Sequence, residues 1–141
     1  MEFHLAATPR SLQAKNSSKE KWKATVADAA RQRAEETSEF VWLEEDASLA
    51  VTIFYFPIAP MEGDVDNIVK PILDAMIGQA YLDDRSIERV VSQKFEPGKG
   101  WSFGTPTSQL AAALDAVSES GEPQPVVYIR VDDDLSWRTN S

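Results

Sequence analysis

The sequence predicts an α+β fold, a single domain over residues 1–141 with helices packed on a mixed β-sheet. Its length is that of one ordinary domain, and 43% apolar residues suffice for one sizeable core. Short β-branched or aromatic runs interleave with segments of helical spacing, but too irregularly for a doubly wound parallel sheet.

Glu2 to Ala7 reads as a short first strand, followed by a polar loop to Asn16. Ser17-Ser18-Lys19-Glu20 has capping-box form, with Ser17 as the N-cap and Glu20 three residues on. Trp22, Val26, Ala29 and Ala30 then fall at helical spacing, which predicts a helix to Glu36. Ser48 to Phe56 (SLAVTIFYF) reads as a central strand with little solvated face, ended by Pro57 and Pro60. A second helix is expected from Asn67 to Ile77, striped by Ile68, Ile72, Leu73, Met76 and Ile77, with Pro71 near its first turn and Gly78 as its stop. After a turn at Leu82–Arg85, a strand is expected from Ile87 to Phe95 and a Gly/Pro loop from Pro97 to Thr107. A third helix over Gln109–Ser118 and a last strand over Val126–Val131 complete the order, with residues 132–141 expected as a frayed tail.

Composition narrows the chemistry. Zero cysteines exclude a disulfide scaffold, a thiol nucleophile and a thiolate zinc site. The first ten residues lack a basic stretch followed by an apolar one, so no signal peptide is expected. The longest apolar run, Leu49–Met61, holds two prolines and is too short to span a bilayer. A cytoplasmic protein with no membrane partner is the expectation. The net charge is −9, against a generic nucleic-acid binder, but it is unevenly placed. Residues 1–33 hold seven basic side chains (Arg10, Lys15, Lys19, Lys21, Lys23, Arg31, Arg33) against Glu2, Glu20 and Asp28, a net of +4 that leaves −13 for the rest. Such a segment either offers a cationic face to a polyanion or is the solvated face of a helix.

The informative stretch is GDVDNIVKPILDAMIGQAYLDD, Gly63–Asp84. In extended backbone Asp64 and Asp66, two apart, point to the same side. Asp66 or Asn67 is placed to cap the following helix. Lys70, one turn in, can reach back over the same spot, and Asp83-Asp84 adds carboxylates after the helix. Asp74, mid-helix, reads as a supporting carboxylate, the lone His4 as structural, and the tryptophans as core or loop anchors. Hard oxygen ligands favour Mg²⁺ or Mn²⁺ over zinc or copper. An EF-hand is disfavoured by Val69 and Ala75 where its loop needs Gly and Glu. Three carboxylates and a lysine suit phosphodiester hydrolysis, in which metal ions activate water and a lysine stabilises developing charge.

The stretch resembles the RusA family of Holliday junction resolvases. The resemblance runs through Asp64-Val65-Asp66-Asn67-Ile68-Val69-Lys70, Leu73-Asp74-Ala75 and Tyr81-Leu82-Asp83-Asp84. Thr8–Asn16 is similar to the family's Pro-containing loop ahead of a basic helix, so about residues 2–95 are covered. The resemblance implies a homodimeric, Mg²⁺-dependent endonuclease that binds branched DNA, the four-way junction, and nicks two opposed strands symmetrically, in DNA recombination and repair. It implies Asp64, Asp66 and Asp84 as metal-binding catalytic acids, with Asp83 the alternative member of its pair, and Lys70 as the catalytic lysine. It further implies Arg10, Lys15, Lys19 and Lys23 as phosphate contacts. At ~1.5 Å per residue the helix is about 16 Å long, and Gln79–Asp84 extended reaches about 20 Å. Asp84 therefore rejoins Asp64 and Asp66 within one chain if that loop runs back, and otherwise comes from a partner subunit. Two other readings stand beside this one: a catalytically silent junction-binding module, suggested by the acidity, and a metal-dependent phosphohydrolase for another nucleic-acid substrate.

Overall fold

A computed structural model describes residues 1–11, 13–37, 41–61, 63–118 and 122–135. Strands β1 (Glu2–Leu5), β2 (Leu49–Phe56), β3 (Ile87–Lys94) and β4 (Val126–Asp132) form one mixed sheet in the order β1-β4-β2-β3. β4 pairs antiparallel with both β1 and β2, whereas β3 lies parallel to β2. The helices are α1 (Asn16–Thr37), α2 (Val69–Ala75) and α3 (Ser108–Val117). The expected α+β class, with helices on a mixed sheet, is the one observed.

Strand alternation divides the core into two layers. On one face Leu49, Val51, Ile53 and Tyr55 of β2 join Val127, Ile129 and Val131 of β4. They are covered by Trp22, Val26 and Ala30 of α1 and by Ile72, Leu73 and Ala75 of α2. On the other face Phe56, Val126 and Tyr128 pack against Leu110 and Ala113 of α3, with Phe54, Phe95 and Phe103 alongside. Paired on both edges and covered on both faces, β2 is the central strand its composition predicts. His4 sits in β1 with Nδ1 buried and unpartnered, and Trp22 and Trp42 are core residues, in line with their structural reading.

Several boundaries differ from expectation. Helix α1 begins at Asn16, so Ser17 lies inside its first turn rather than at the cap. The expected 67–77 helix is instead a 3₁₀ turn, Val65–Ile68, running into the short α2. Pro71 explains this: without an N–H it cannot bond back to Asn67, and the preceding turn closes through the tighter Asn67 N–H to Asp64 carbonyl bond of 3.1 Å. Asp64, not Asp66 or Asn67, stands at the cap position, extended (φ −86°, ψ 148°) and without a side-chain capping bond. Gly78, at φ +82°, terminates the segment as predicted, in a conformation other residues rarely adopt. Strand β4 runs one residue further than expected, so Asp132 belongs to the sheet; of the expected tail, 136–141 lie outside the described residues.

Candidate active site

The Asp-rich segment forms the crossover between the parallel strands β2 and β3. Asp64 and Asp66 are exposed, and neither side chain makes a hydrogen bond or ion pair with another described residue. The Ser92 hydroxyl of β3 donates to the Val65 carbonyl at 3.2 Å, which seats this segment beside the C-terminal half of that strand. Because Asp66 lies within the 3₁₀ turn, the extended D-x-D geometry expected of the pair is not present.

The return path runs back to the first turn of α2. The Tyr81 hydroxyl donates to the Leu73 carbonyl at 2.6 Å, Gly78 N–H to the Tyr81 carbonyl at 2.7 Å, and Trp42 N–H to the Ala80 carbonyl at 2.8 Å. These bonds fold residues 78–81 against α2 and deliver Asp84 to Lys70 of the same chain. Lys70 Nζ donates to Asp84 Oδ2 at 2.6 Å and lies 2.9 Å from Asp74 Oδ1. The ammonium is thus held between two carboxylates. The Asp83 side chain accepts the Arg85 N–H at 3.1 Å and caps the turn Asp84–Ser86.

These contacts set the local electrostatics. The Asp84 hydrogen bond, reinforced by Asp74, pushes the Lys70 amine above its ordinary value. The Lys70 hydrogen bond in turn holds Asp84 below the usual carboxylate value. Tyr81 is raised first by its burial and then by the Asp84 and Asp74 charges. Lys70 therefore carries a fixed positive charge suited to stabilising an oxyanion, not to accepting a proton.

The structure brings together Lys70, Asp74 and Asp84; it does not bring Asp64 and Asp66 into contact with them. Among the described residues no three acidic or imidazole side chains are grouped to hold a metal ion. Asp84 lies just ahead of β3, whereas Val65 is tied to Ser92 in the second half of that strand. The donor chemistry still suits a hard divalent cation, since Asp64, Asp66 and Asp84 supply only carboxylate oxygens.

Of the expected phosphate contacts, Arg10 lines a groove of about 460 Å³ with Thr8, Ser18, Lys21, Trp22 and Thr25. Lys23 instead pairs with Glu20 at 3.2 Å, while Lys15 is exposed and Lys19 half-buried on α1 outside that groove. Lys21, one of the seven basic side chains of residues 1–33, shares the groove because Ser18, Lys21, Trp22 and Thr25 lie at the spacing of one helical face. The Trp22 indole N–H on this wall is buried without a partner. No helix among the described residues is long and apolar enough to cross a membrane.

Residues 7–100, about two thirds of the chain, match the family described as Endodeoxyribonuclease RusA. The match takes in α1, β2, the Asp64–Asp84 crossover and β3, and stops before α3 and β4. No curated protein sequence matches the chain significantly. With the family match covering every element that builds the site, the chain belongs to the RusA family of Holliday junction endodeoxyribonucleases.

Proposed function

We propose that this protein is a Mg²⁺-dependent endodeoxyribonuclease that resolves four-way DNA junctions by paired, symmetric nicks, acting as a homodimer in recombination and repair. The observation that carries the reading is the Lys70 ammonium, fixed between Asp84 and Asp74 within the crossover that presents Asp64 and Asp66 to solvent. Asp64, Asp66 and Asp84, with Asp83 as the neighbouring acid, are the residues that would hold Mg²⁺ or Mn²⁺. A cation bound there supplies a nucleophilic water at neutral pH and neutralises charge on the phosphate.

The chain's own groups do the rest. Lys70 lies half-exposed beside the acids and can donate to a phosphate oxygen as negative charge builds on it. Asp74 also holds that amine, at 2.9 Å, so Lys70 stays placed when Asp84 turns to another ligand. Arg10 and Lys21, grouped in one groove, are the cations best placed to take backbone phosphates; Lys15, just ahead of α1, and Lys19 and Lys23 within it are the further candidates. Two nicks on opposed strands need two sites, and a twofold dimer provides them.

The test is a panel of labelled four-way junction, flap, linear duplex and mononucleotide substrates, each in Mg²⁺ and in Mn²⁺. Selective nicking of the junction supports the proposal. Junction binding without nicks would favour a silent binding module, which the −9 net charge and the ungrouped acids would then explain. Hydrolysis of another substrate alone would assign the phosphohydrolase reading.

A further inference from the structure

Asp64 is suspended between two side chains from β3 and the turn after it. On its N-terminal side the Glu96 carboxylate accepts the Met61 N–H at 2.7 Å, across 35 residues of sequence. On its C-terminal side the Ser92 hydroxyl donates to the Val65 carbonyl at 3.2 Å. Among described residues 57–63, the Met61 amide is the only group in a hydrogen bond. Without it the described residues between β2 and Asp64, which include Pro57 and Pro60, have no hydrogen bond to the sheet.

Glu96 is an unusual residue to find there. It is buried, 9% exposed, and buried carboxylates need partners because removing their hydration is costly. Its partners are the Met61 amide, Lys94 Nζ at 3.3 Å and Lys99 Nζ at 3.7 Å. Gly98, at φ +83°, turns the chain so that Lys99 comes back over the carboxylate. Two lysines and a glycine turn thus keep one acid charged and aimed at a backbone amide three residues ahead of Asp64. None of these groups belongs to the Lys70–Asp74–Asp84 cluster.

We propose that Glu96, with Ser92, is a positioning residue for Asp64: the two fix the backbone on either side of it and so set its carboxylate for cation binding. This rests on the reading of Asp64 as a metal ligand. Outer partners that orient a ligand typically change metal affinity or activity by about 10–100-fold when removed.

The experiment titrates Mn²⁺ into the full-length protein without DNA and follows exchange of the Met61 amide hydrogen. The proteins compared are the parent, Glu96→Ala, Glu96→Gln, Ser92→Ala and Asp64→Asn. Glu96→Ala should weaken Mn²⁺ binding by about 10-fold or more and speed Met61 exchange. Glu96→Gln, which keeps an oxygen for the Met61 N–H, should restore most of both. Ser92→Ala should weaken binding in the same direction by a smaller factor, and it keeps the proposal testable if Glu96→Ala does not fold. If Asp64→Asn loses Mn²⁺ affinity but Glu96→Ala and Ser92→Ala retain it, the positioning role is refuted, even if their urea midpoints fall. If Asp64→Asn binds Mn²⁺ like the parent, the reading of Asp64 as a ligand fails, and the positioning role fails with it.

Discussion

Tyr81→Phe removes a single buried oxygen and isolates what holds the return path in place. Tyr81 is fully buried, and its hydroxyl donates to the Leu73 carbonyl at 2.6 Å. The substitution keeps the ring, so the packing loss is small and the hydrogen bond dominates. The Leu73 carbonyl would keep only the long 3.3 Å bond from the Met76 N–H. It is therefore weakened rather than orphaned, which puts the cost at about 1–2 kcal/mol, below the ~3 kcal/mol limit for a wholly unsatisfied group. At ~2.1 cal/mol/K of unfolding entropy per residue, a chain of this length should lose about 3–7 °C in Tm. Urea and thermal unfolding followed by tryptophan fluorescence measure both. A change under ~0.3 kcal/mol would refute the claim that this bond pins the 78–81 turn to α2.

Lys70→Gln should lower junction cleavage by about 100-fold or more, as loss of an oxyanion-stabilising donor does, yet change stability by under ~1 kcal/mol because the ion pair is half-exposed. Cleavage rates and urea midpoints together check it. Burial, then the Arg33 charge, holds His4 below its ordinary 6.5, so the unfolded chain binds that proton more readily. Its contribution is complete above pH 6.5 and is lost as pH falls through that value. The depressed Asp84 and Glu96 act lower, below their ordinary 3.8 and 4.5. His4→Leu should therefore flatten the change in urea midpoint between about pH 7.5 and 5.5. Finally, millimolar Mg²⁺ should raise the Tm of the parent and do so less for Asp84→Asn, since a ligand bound only to the folded state stabilises it. Equal shifts in a thermal melt would count against Asp84 as a ligand.

The strands were readable because β2 states its burial in its own composition: LAVTIFYF has almost no residue suited to solvent, and the sheet covers both its faces. The crossover was readable in its residues but not in its shape. Asp64, Asp66, Lys70 and Asp84 stand out by type and spacing, whereas the 3₁₀ turn follows from one missing amide at Pro71. How Asp84 reaches Lys70 depends on how residues 78–81 fold, which the Tyr81–Leu73 and Gly78–Tyr81 bonds set and no local sequence pattern encodes. Asp74 looked like a supporting carboxylate, but its partner became evident only once Lys70 had a direction. Glu96 was invisible for a different reason. Its significance lies in a bond to an amide 35 residues away, and no local pattern encodes a partner at that separation. The position of β4 was likewise hidden, since the last strand of the chain inserts between the first two.

The central claim is that the Asp64–Asp84 crossover cleaves junction DNA, and strand-labelled four-way junctions test it most directly. Each strand is labelled in turn and incubated in Mg²⁺ with the parent protein and with Asp66→Asn, whose fold should survive because the Asp66 side chain is exposed and bonds to no other described residue. Nicks are expected at symmetric positions on two opposed strands with the parent, and intact strands with Asp66→Asn despite retained junction binding. Equal cleavage by both proteins, or no nicks from a parent that binds the junction, would contradict it.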